Sequence, residues 1–259
     1  MRYTIIKKNI IMKILVCISN VPDTTTKIKF KDNNTTFDEE GVQWIINPWD
    51  ELALTRALEL KEKTGKVEHI AVANVGEKVT EATLRKALAV GADKAYRINS
   101  SPADSFSVAS ELAAFIKEQD YDIILTGIES SDYNNAATGG MLAELLDMQS
   151  ISSASSLDIN EDEIVLGREI EGGKETLSVS TPFVGIVQKG IALEPRIPAM
   201  RGIMMARKKP LETIEPAGAA PLVEYTEFEL PPEKGDCKMY DAENVDQLIE
   251  DLDKEAKIL

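Results

Sequence analysis

Short apolar runs alternate with helical patterns along the first part of the chain. The runs are typical of strands that are covered on both faces, and they lie at residues 13–19, 69–75, 94–99 and 121–126. Between them, apolar residues recur every three or four positions, which predicts helices at residues 47–63, 77–90, 104–119 and 136–146. This alternation predicts an α/β fold, an open and mainly parallel sheet with helices on both faces.

The first predicted helix has clear start signals. Asn47 is a good N-cap residue, Pro48 fits the first helical position, and Asp50 places an acidic group at the positive end of the helix dipole. Gly91 is a stop signal for the second helix. The turn-rich stretch before Asn47 predicts a small hairpin around residues 27–30.

The pattern changes after Ser150. Strands separated by turns are predicted at residues 151–158, 163–170, 174–179 and 183–188, with a hairpin at the Gly172-Gly173 pair. A proline-containing arm follows at residues 216–236, and then a last helix at residues 245–257. We therefore predict three parts: an extension at 1–11 with Met12 as the true start, an α/β domain at 12–214, and a C-terminal arm and helix at 215–259.

Composition narrows the function classes. The chain has 44 acidic against 29 basic residues and a net charge of −15, which argues against nucleic acid or an anionic membrane as a partner. More than half of this charge, −8, lies in residues 224–259. One histidine and two distant cysteines argue against a metal centre or multi-histidine catalysis and favour a reducing, cytoplasmic location. No apolar stretch is long enough for membrane insertion.

The loop from Gly127 to Gly140 is the most informative candidate site. It follows a strand and precedes a helix, and in open parallel sheets ligands bind beyond the carboxyl ends of the strands. A helix N-terminus there offers N–H groups to a phosphate, which small residues allow to approach closely; the small residues are Ala136, Ala137, Thr138, Gly139 and Gly140. The loop matches neither the Walker pattern nor GxGxxG. The alternative to a phosphate site is that this loop only caps the helix and that its glycines serve close packing.

Other candidate residues are expected at the same edge of the sheet. They are Asn47-Pro48-Trp49-Asp50 and Asn74, because an asparagine there can bind an adenine edge or a ribose. Asn47 taken alone is more typical of a helix cap. Cys17 lies within an apolar strand, so we expect an inert buried thiol.

Basic residues are concentrated in the segment 194–209. Five of them stand against the single acid Glu194, namely Arg196, Arg201, Arg207, Lys208 and Lys209. Met200 and Ile203 lie among them as in a loop, without an amphipathic stripe. Apolar side chains beside basic ones are typical of a docking surface. The alternative is a helix N-terminus with methionines in the core.

In this combination the chain resembles the beta subunit of electron transfer flavoproteins. The resemblance runs from about Met12 to Ile214 and rests on ordered motifs, which are REIEGGKETL at 168–177, TPFV at 181–184, EPR at 194–196, IM at 203–204 and ARKK at 206–209. It implies an adenine-nucleotide-binding, Rossmann-like fold and a heterodimer with an alpha subunit that holds the redox-active FAD. It also implies an electron carrier without catalytic residues, which links acyl-CoA dehydrogenases of fatty acid beta-oxidation to a membrane quinone oxidoreductase.

The resemblance further implies AMP in a buried site of this subunit. Carried over position by position, the cofactor-binding residues would be Cys17, Asn47, Pro48, Trp49, Asp50, Asn74, Gly127, Ile128, Ser131, Asp132, Asn135, Ala136, Ala137, Thr138 and Gly139. Residues 130–138 depart from the family's common Gln-Ala-Ile-Asp-Asp/Gly-Asp, so side-chain contacts would differ while backbone contacts to phosphate could persist. Bifurcating relatives hold a second FAD instead of AMP, and their Asp-Gly-Asp-Thr is absent here, which favours AMP.

The resemblance also assigns docking of acyl-CoA dehydrogenases to the basic segment. The corresponding residues are Pro195, Arg196, Met200, Arg201, Ile203, Arg207, Lys208 and Lys209, with Met200 in the place of an apolar anchor that is usually leucine.

Three alternative functions stay open: a bifurcating relative with a second FAD, a free-standing adenine-nucleotide-binding stress-type protein, and an ATP-cleaving enzyme. The last is disfavoured because no phosphate-binding lysine motif is present.

Overall fold

The computed structural model describes residues 11–160 and 163–258. The predicted extension at 1–11 therefore falls, except for Ile11, outside the described residues. The chain divides into two compact units. The first comprises the chain up to Lys27 together with Asp38–Thr226, and the second comprises Ile28–Phe37 together with the chain from Glu227 onward.

The described residues form strands and helices in the predicted alternation, followed by further strands. The strands are β1 (Met12–Cys17), β2 (Asn20–Pro22), β3 (Phe30–Lys31), β4 (Thr36–Phe37), β5 (Trp44–Ile46), β6 (Val67–Val75), β7 (Lys94–Ile98), β8 (Ile123–Gly127), β9 (Gln149–Ile159), β10 (Ile164–Ile170), β11 (Gly173–Val179), β12 (Phe183–Val187) and β13 (Leu211–Ile214). The helices are α1 (Pro48–Thr64), α2 (Glu81–Val90), α3 (Ser105–Ile116), α4 (Thr138–Leu146), α5 (Met200–Ala206) and α6 (Val245–Lys254).

Nine strands form one sheet in the order β11-β10-β9-β12-β8-β1-β6-β7-β13. Neighbours from β9 to β13 are parallel, whereas β10 pairs antiparallel with both β9 and β11. The chain continues from β1 to β6 and β7 on one side and later adds β8 on the other. The topological switch point, where ligands bind in open α/β sheets, therefore lies between β1 and β8.

Helices cover both faces of the sheet. The helices α1 and α2 pack with Ile14 and Val16 of β1 into one core, and α3 and α4 pack with Leu15 and Cys17 into the other. Successive strand residues point to opposite faces. This double cover explains why β1 is an unbroken apolar run, and the predicted α/β fold class is confirmed.

Several element boundaries differ from the predictions. The helix expected at 77–90 begins with a 3-10 turn at Lys78–Thr80, where the Thr80 hydroxyl donates to the Glu77 carbonyl, so α2 starts only at Glu81. Two helices end earlier than expected, α3 at Ile116 and α6 at Lys254. The strand β13 was not predicted, because a four-residue edge strand is too short to show a clear period.

The second unit contains the β3–β4 hairpin and α6. The hairpin turns at Asp32, Asn33 and Asn34, which all have a left-handed backbone, so it lies after the predicted position of 27–30. The ring of Phe30 stacks on that of Phe228 with centroids 5.2 Å apart. In the part of the chain that the structure describes, we find no helix with the length and apolar character needed to cross a bilayer.

Candidate functional site

Asp50 joins the ends of the two strands that flank the switch point. Its Oδ2 accepts a hydrogen bond from the Ser19 backbone N–H at 2.8 Å, just after β1, and its Oδ1 accepts one from the Gly127 N–H at 2.8 Å, at the end of β8. Burial raises the pKa of this carboxyl to about 7, although the N–H groups of Ser19 and Gly127 oppose the rise. The position of Asp50 in the first turn of α1 thus fixes the crevice between β1 and β8.

Asn47 holds the loop after β8. Its Nδ2 donates to the Glu129 carbonyl at 2.8 Å, and its Oδ1 accepts from the Ser131 N–H at 3.2 Å. Within the described ranges, its side chain makes no capping hydrogen bond to α1, although it occupies the N-cap position. Asn47 is therefore the N-cap residue by position, as predicted, but its amide binds the loop and does not cap the helix.

Two buried polar atoms near these residues have no hydrogen-bond partner among the described residues. They are Asn74 Oδ1, at the end of β6, and Thr126 Oγ1, at the end of β8. The Asn74 and Thr126 residues are 4% and 5% exposed, and the Asn74 Nδ2 already donates to the Ile18 carbonyl at 2.8 Å. Buried polar atoms are normally paired, so these two atoms indicate groups that a ligand would satisfy.

The N-terminus of α4 lies next to Thr126. Ala137 occupies the N-cap position of α4, and no side-chain cap is found there among the described residues. The first N–H groups of the helix are therefore available to an anion. A Cβ on Gly139 would lie 2.6 Å from Thr126 Oγ1, and one on Gly127 would lie 2.4 Å from Asp50 Oδ1. These glycines therefore serve close packing, as one alternative expected, but the helix-cap part of that alternative is wrong.

The other sequence-predicted residues divide into buried and exposed groups. Cys17 is buried at the end of β1, where burial and the nearby Asp50 carboxyl raise the pKa of its thiol. A protonated, buried thiol is inert, as expected. Pro48, Trp49, Ile128, Ser131, Ala137 and Thr138 are half-buried, whereas Asp132, Asn135 and Ala136 are exposed.

Sequence reasoning missed Thr126 and the structural role of Ser19. The only sequence signal for Thr126 was a single polar residue at the end of an apolar strand. Ser19 contributes its backbone N–H, a group that every residue except proline has, so residue identity does not reveal this role.

The segment 194–209 contains the helix α5, which packs on α2. A Cβ on Gly202 would lie 2.3 Å from the Ala89 carbonyl oxygen, and Ala206 is buried. On the other side, the methionines are largely exposed, with 73% for Met200 and 62% for Met204. Placing Met200 and Ile203 in a loop was therefore wrong. The alternative was right that a helix begins here and wrong that its methionines lie in the core.

The basic residues of this segment have different environments. Arg196 donates from both terminal nitrogens to the carboxylate of Glu62, at 2.7 and 2.8 Å, and this lowers the pKa of Glu62. Lys209 donates to the carbonyl oxygens of Leu88 and Ala92 at the end of α2, and burial lowers its pKa. The other residues predicted for docking are exposed, namely Pro195, Met200, Arg201, Ile203, Arg207 and Lys208.

Metal-binding groups of three or more His, Cys, Asp or Glu residues are absent from the residues described by the structure. A cleft of about 490 Å³ lies at the opposite, amino end of the strands and is lined partly by Lys13, Lys94 and Asp120. Lys13 of β1 already forms an ion pair with Asp120, with its Nζ 2.7 Å from Asp120 Oδ2. The crevice between β1 and β8 is therefore the better supported candidate site.

Comparison with known proteins identifies the family of the chain. A model of the electron transfer flavoprotein domain matches residues 34–219. The chain is 35% identical over 262 residues to the electron transfer flavoprotein subunit beta of Bacillus subtilis (strain 168), covering 96% of this chain and 100% of that protein. It is 37% identical over 224 residues to the corresponding subunit of Syntrophomonas wolfei, covering 86% and 87%.

The human subunit of the same name is 35% identical over 211 residues, with 79% of this chain and 82% of that protein covered. The family model thus covers more than half of the chain, and the relatives span most of its length. We conclude that this chain belongs to the electron transfer flavoprotein beta subunit family.

Proposed function

We propose that this chain holds AMP between β1 and β8 while its alpha subunit holds the redox-active FAD. The proposal is carried by Asn74 Oδ1 and Thr126 Oγ1, which are buried near the carboxyl ends of β6 and β8, on the two sides of β1, and have no hydrogen-bond partner among the described residues. An adenine or ribose offers donors to Asn74 Oδ1. A phosphate accepts from the Thr126 hydroxyl and from the N–H groups at the start of α4.

Each residue of the site has a distinct part in this proposal. Asp50 keeps the two strand ends at a fixed separation through Ser19 and Gly127, and Asn47 keeps the following loop in place. AMP, when bound, supplies no redox chemistry and acts by filling the site. The chain itself contributes binding and orientation, and we assign it no catalytic residue.

The exposed side of α5 is the proposed docking surface for acyl-CoA dehydrogenases. Met200, Met204 and Met205 are more than half exposed there, beside the exposed Arg201 and Arg207. Flexible methionines adapt to a partner pocket, and the arginines suit an acidic rim. The heterodimer would then pass electrons on to a membrane quinone oxidoreductase.

The residues 215–259 are proposed to contact the alpha subunit. Val245 and Ile249 are one helical turn apart on α6 and are 51% and 50% exposed, so they form an apolar face for a partner. Both cysteines, Cys17 and Cys237, are free thiols, which fits a reducing, cytoplasmic location.

The decisive experiment is to co-express the chain with a candidate alpha subunit, denature the complex and identify the released nucleotides by mass. One FAD and one AMP per heterodimer is the expected result. Two FAD would instead indicate the bifurcating form. A stable chain that does not bind the alpha subunit would contradict the heterodimer and favour the stress-type protein.

A further inference from the structure

A short stretch of the C-terminal arm, residues 217–225, lies on α3 and is referred to here as the strap. Glu111 of α3 is 2% exposed and accepts three hydrogen bonds from the strap, from the backbone N–H groups of Ala217 at 2.6 Å and of Gly218 and Ala219 at 2.8 Å. Gly218 has a φ of +82°, and a left-handed residue makes successive N–H groups converge on one anion. The strap thus forms an anion-binding nest around Glu111.

A second carboxylate fixes the next part of the strap. Asp104 caps α3 by accepting from the Ser107 N–H at 2.7 Å through its Oδ1. Its Oδ2 accepts from the N–H groups of Leu222 at 2.7 Å and Val223 at 3.0 Å. Charge-assisted hydrogen bonds are about twice as strong as neutral ones, so these five bonds from the strap give a firm attachment without any regular secondary structure.

The last residue of the strap contacts the loop that follows β8. The Tyr225 ring packs against the Tyr133 ring with centroids 5.0 Å apart and planes tilted by 41°. The Tyr225 hydroxyl oxygen also accepts a hydrogen bond from Asn135 Nδ2 at 3.0 Å. Tyr133 and Asn135 both belong to the proposed nucleotide-binding loop.

This part of the loop has a backbone that needs support. Ala136 has a φ of +49°, a left-handed conformation that is costly for alanine, whereas asparagine tolerates the φ of +51° found at Asn134. Such conformations persist only where the surrounding structure holds them. Asn47 holds the loop at Ser131, before the strained Ala136, and Tyr225 holds it at Tyr133 and at Asn135, which directly precedes Ala136.

We propose that the strap positions the nucleotide-binding loop, with Glu111 and Asp104 as its anchors and Tyr225 as the positioning residue. The proposal rests on the proposed function in so far as the loop binds AMP. A loop that is held in its binding conformation before AMP arrives binds more tightly, because less ordering is needed on binding. The occupancy of the nucleotide site would then depend on the arm that leads toward the C-terminus.

The test uses the full 259-residue chain and four variants. Tyr225→Ala removes the ring and the hydroxyl, Tyr225→Phe removes the hydroxyl alone, and Glu111→Gln weakens the nest. Glu118→Gln is the matched control, since Glu118 is exposed just beyond the end of α3. Two quantities are measured: amide hydrogen exchange in residues 130–138 and 217–225, and the release rate of radiolabelled AMP after dilution.

For Tyr225→Ala we expect exchange in residues 130–138 and AMP release both to be about fivefold faster, as loss of an aromatic pair and a hydrogen bond predicts. Tyr225→Phe keeps the ring, so exchange in residues 130–138 and AMP release should be only about twofold faster than in the wild type. Glu111→Gln should speed exchange in the strap and in the loop together, and Glu118→Gln should match the wild type.

Faster exchange in the strap with an unchanged loop and unchanged AMP release would overturn the positioning role. If the wild-type chain does not bind AMP, the proposed function fails. Loop exchange in Tyr225→Ala and Glu111→Gln still decides whether the strap positions the loop in that case.

Discussion

Asp50 and Gly127 are joined directly, since the carboxylate of Asp50 accepts the backbone N–H of Gly127 at 2.8 Å. The contact links the first turn of α1 to the end of β8, and the other carboxylate oxygen links it to Ser19 after β1. There is no room for a side chain at Gly127, because a Cβ would lie 2.4 Å from Asp50 Oδ1. The geometry of the proposed nucleotide site therefore depends on one buried carboxyl group.

Replacing Asp50 by asparagine should lower the free energy of unfolding by about 2 kcal/mol, because the amide NH₂ would face one of the two N–H donors and leave it unpaired. Urea denaturation at pH 8 measures this. The exposed Glu118→Gln variant is the control and should change stability by less than about 0.5 kcal/mol. Equal stability of Asp50→Asn and wild type would show that the two N–H groups do not depend on the carboxylate.

The stability supplied by Asp50 should fall as the pH rises from about 4 to about 7. The folded-state pKa is raised to about 7, whereas an unfolded aspartate titrates near 3.9, so between these values the folded chain binds a proton that the unfolded chain does not. The difference in unfolding free energy between wild type and Asp50→Asn should therefore shrink over this range and level off above pH 7. A difference that grows with pH would mean that hydrogen bonding outweighs burial at Asp50.

Asn47→Ser separates a loop clamp from a helix cap. Serine is as good an N-cap as asparagine, but it cannot replace both hydrogen bonds to Glu129 and Ser131. We expect the affinity for AMP to fall about tenfold with the helix content unchanged, measured by calorimetry and circular dichroism. Full AMP affinity in the serine variant would favour the cap interpretation.

The sequence predicted the fold better than it predicted the site. The alternation of apolar runs and helical patterns was sufficient for the parallel sheet, because strands covered on both faces are continuous apolar runs and the helices repeat apolar residues every three or four positions. Asn47 shows where sequence reasoning stops. A cap and a loop clamp need the same residue, and only the position of Glu129 and Ser131 beside it distinguishes the two. Thr126 and the strap contacts of Glu111 likewise depend on long-range contacts that no local pattern contains.

Lys209 and Lys208 are neighbours with different expected roles. Lys209 donates to carbonyl oxygens at the C-terminus of α2, whereas Lys208 is exposed. Lys209→Met should lower the free energy of unfolding by about 1 kcal/mol, because the helix dipole and the carbonyls lose their cation. Lys208→Met should stay within about 0.5 kcal/mol of wild type. Chemical denaturation compares the two, and equal losses would contradict the assignment of Lys209 to the end of α2.

Met200→Ala should weaken the coupling of the heterodimer to an acyl-CoA dehydrogenase and leave its flavin content unchanged. Met200 is 73% exposed, so truncation removes few contacts within the fold and should change stability by less than about 0.5 kcal/mol. At a docking surface, loss of an apolar anchor costs more than about 1 kcal/mol, which corresponds to a rise in KM of about fivefold or more. Steady-state electron transfer measures the KM of the heterodimer with the dehydrogenase. Val79→Ala is the control, because Val79 is 63% exposed in the 3-10 turn before α2 and lies outside both α5 and the C-terminal arm. Loss of flavin from Met200→Ala would place Met200 in the fold, and unchanged coupling would place the docking surface elsewhere.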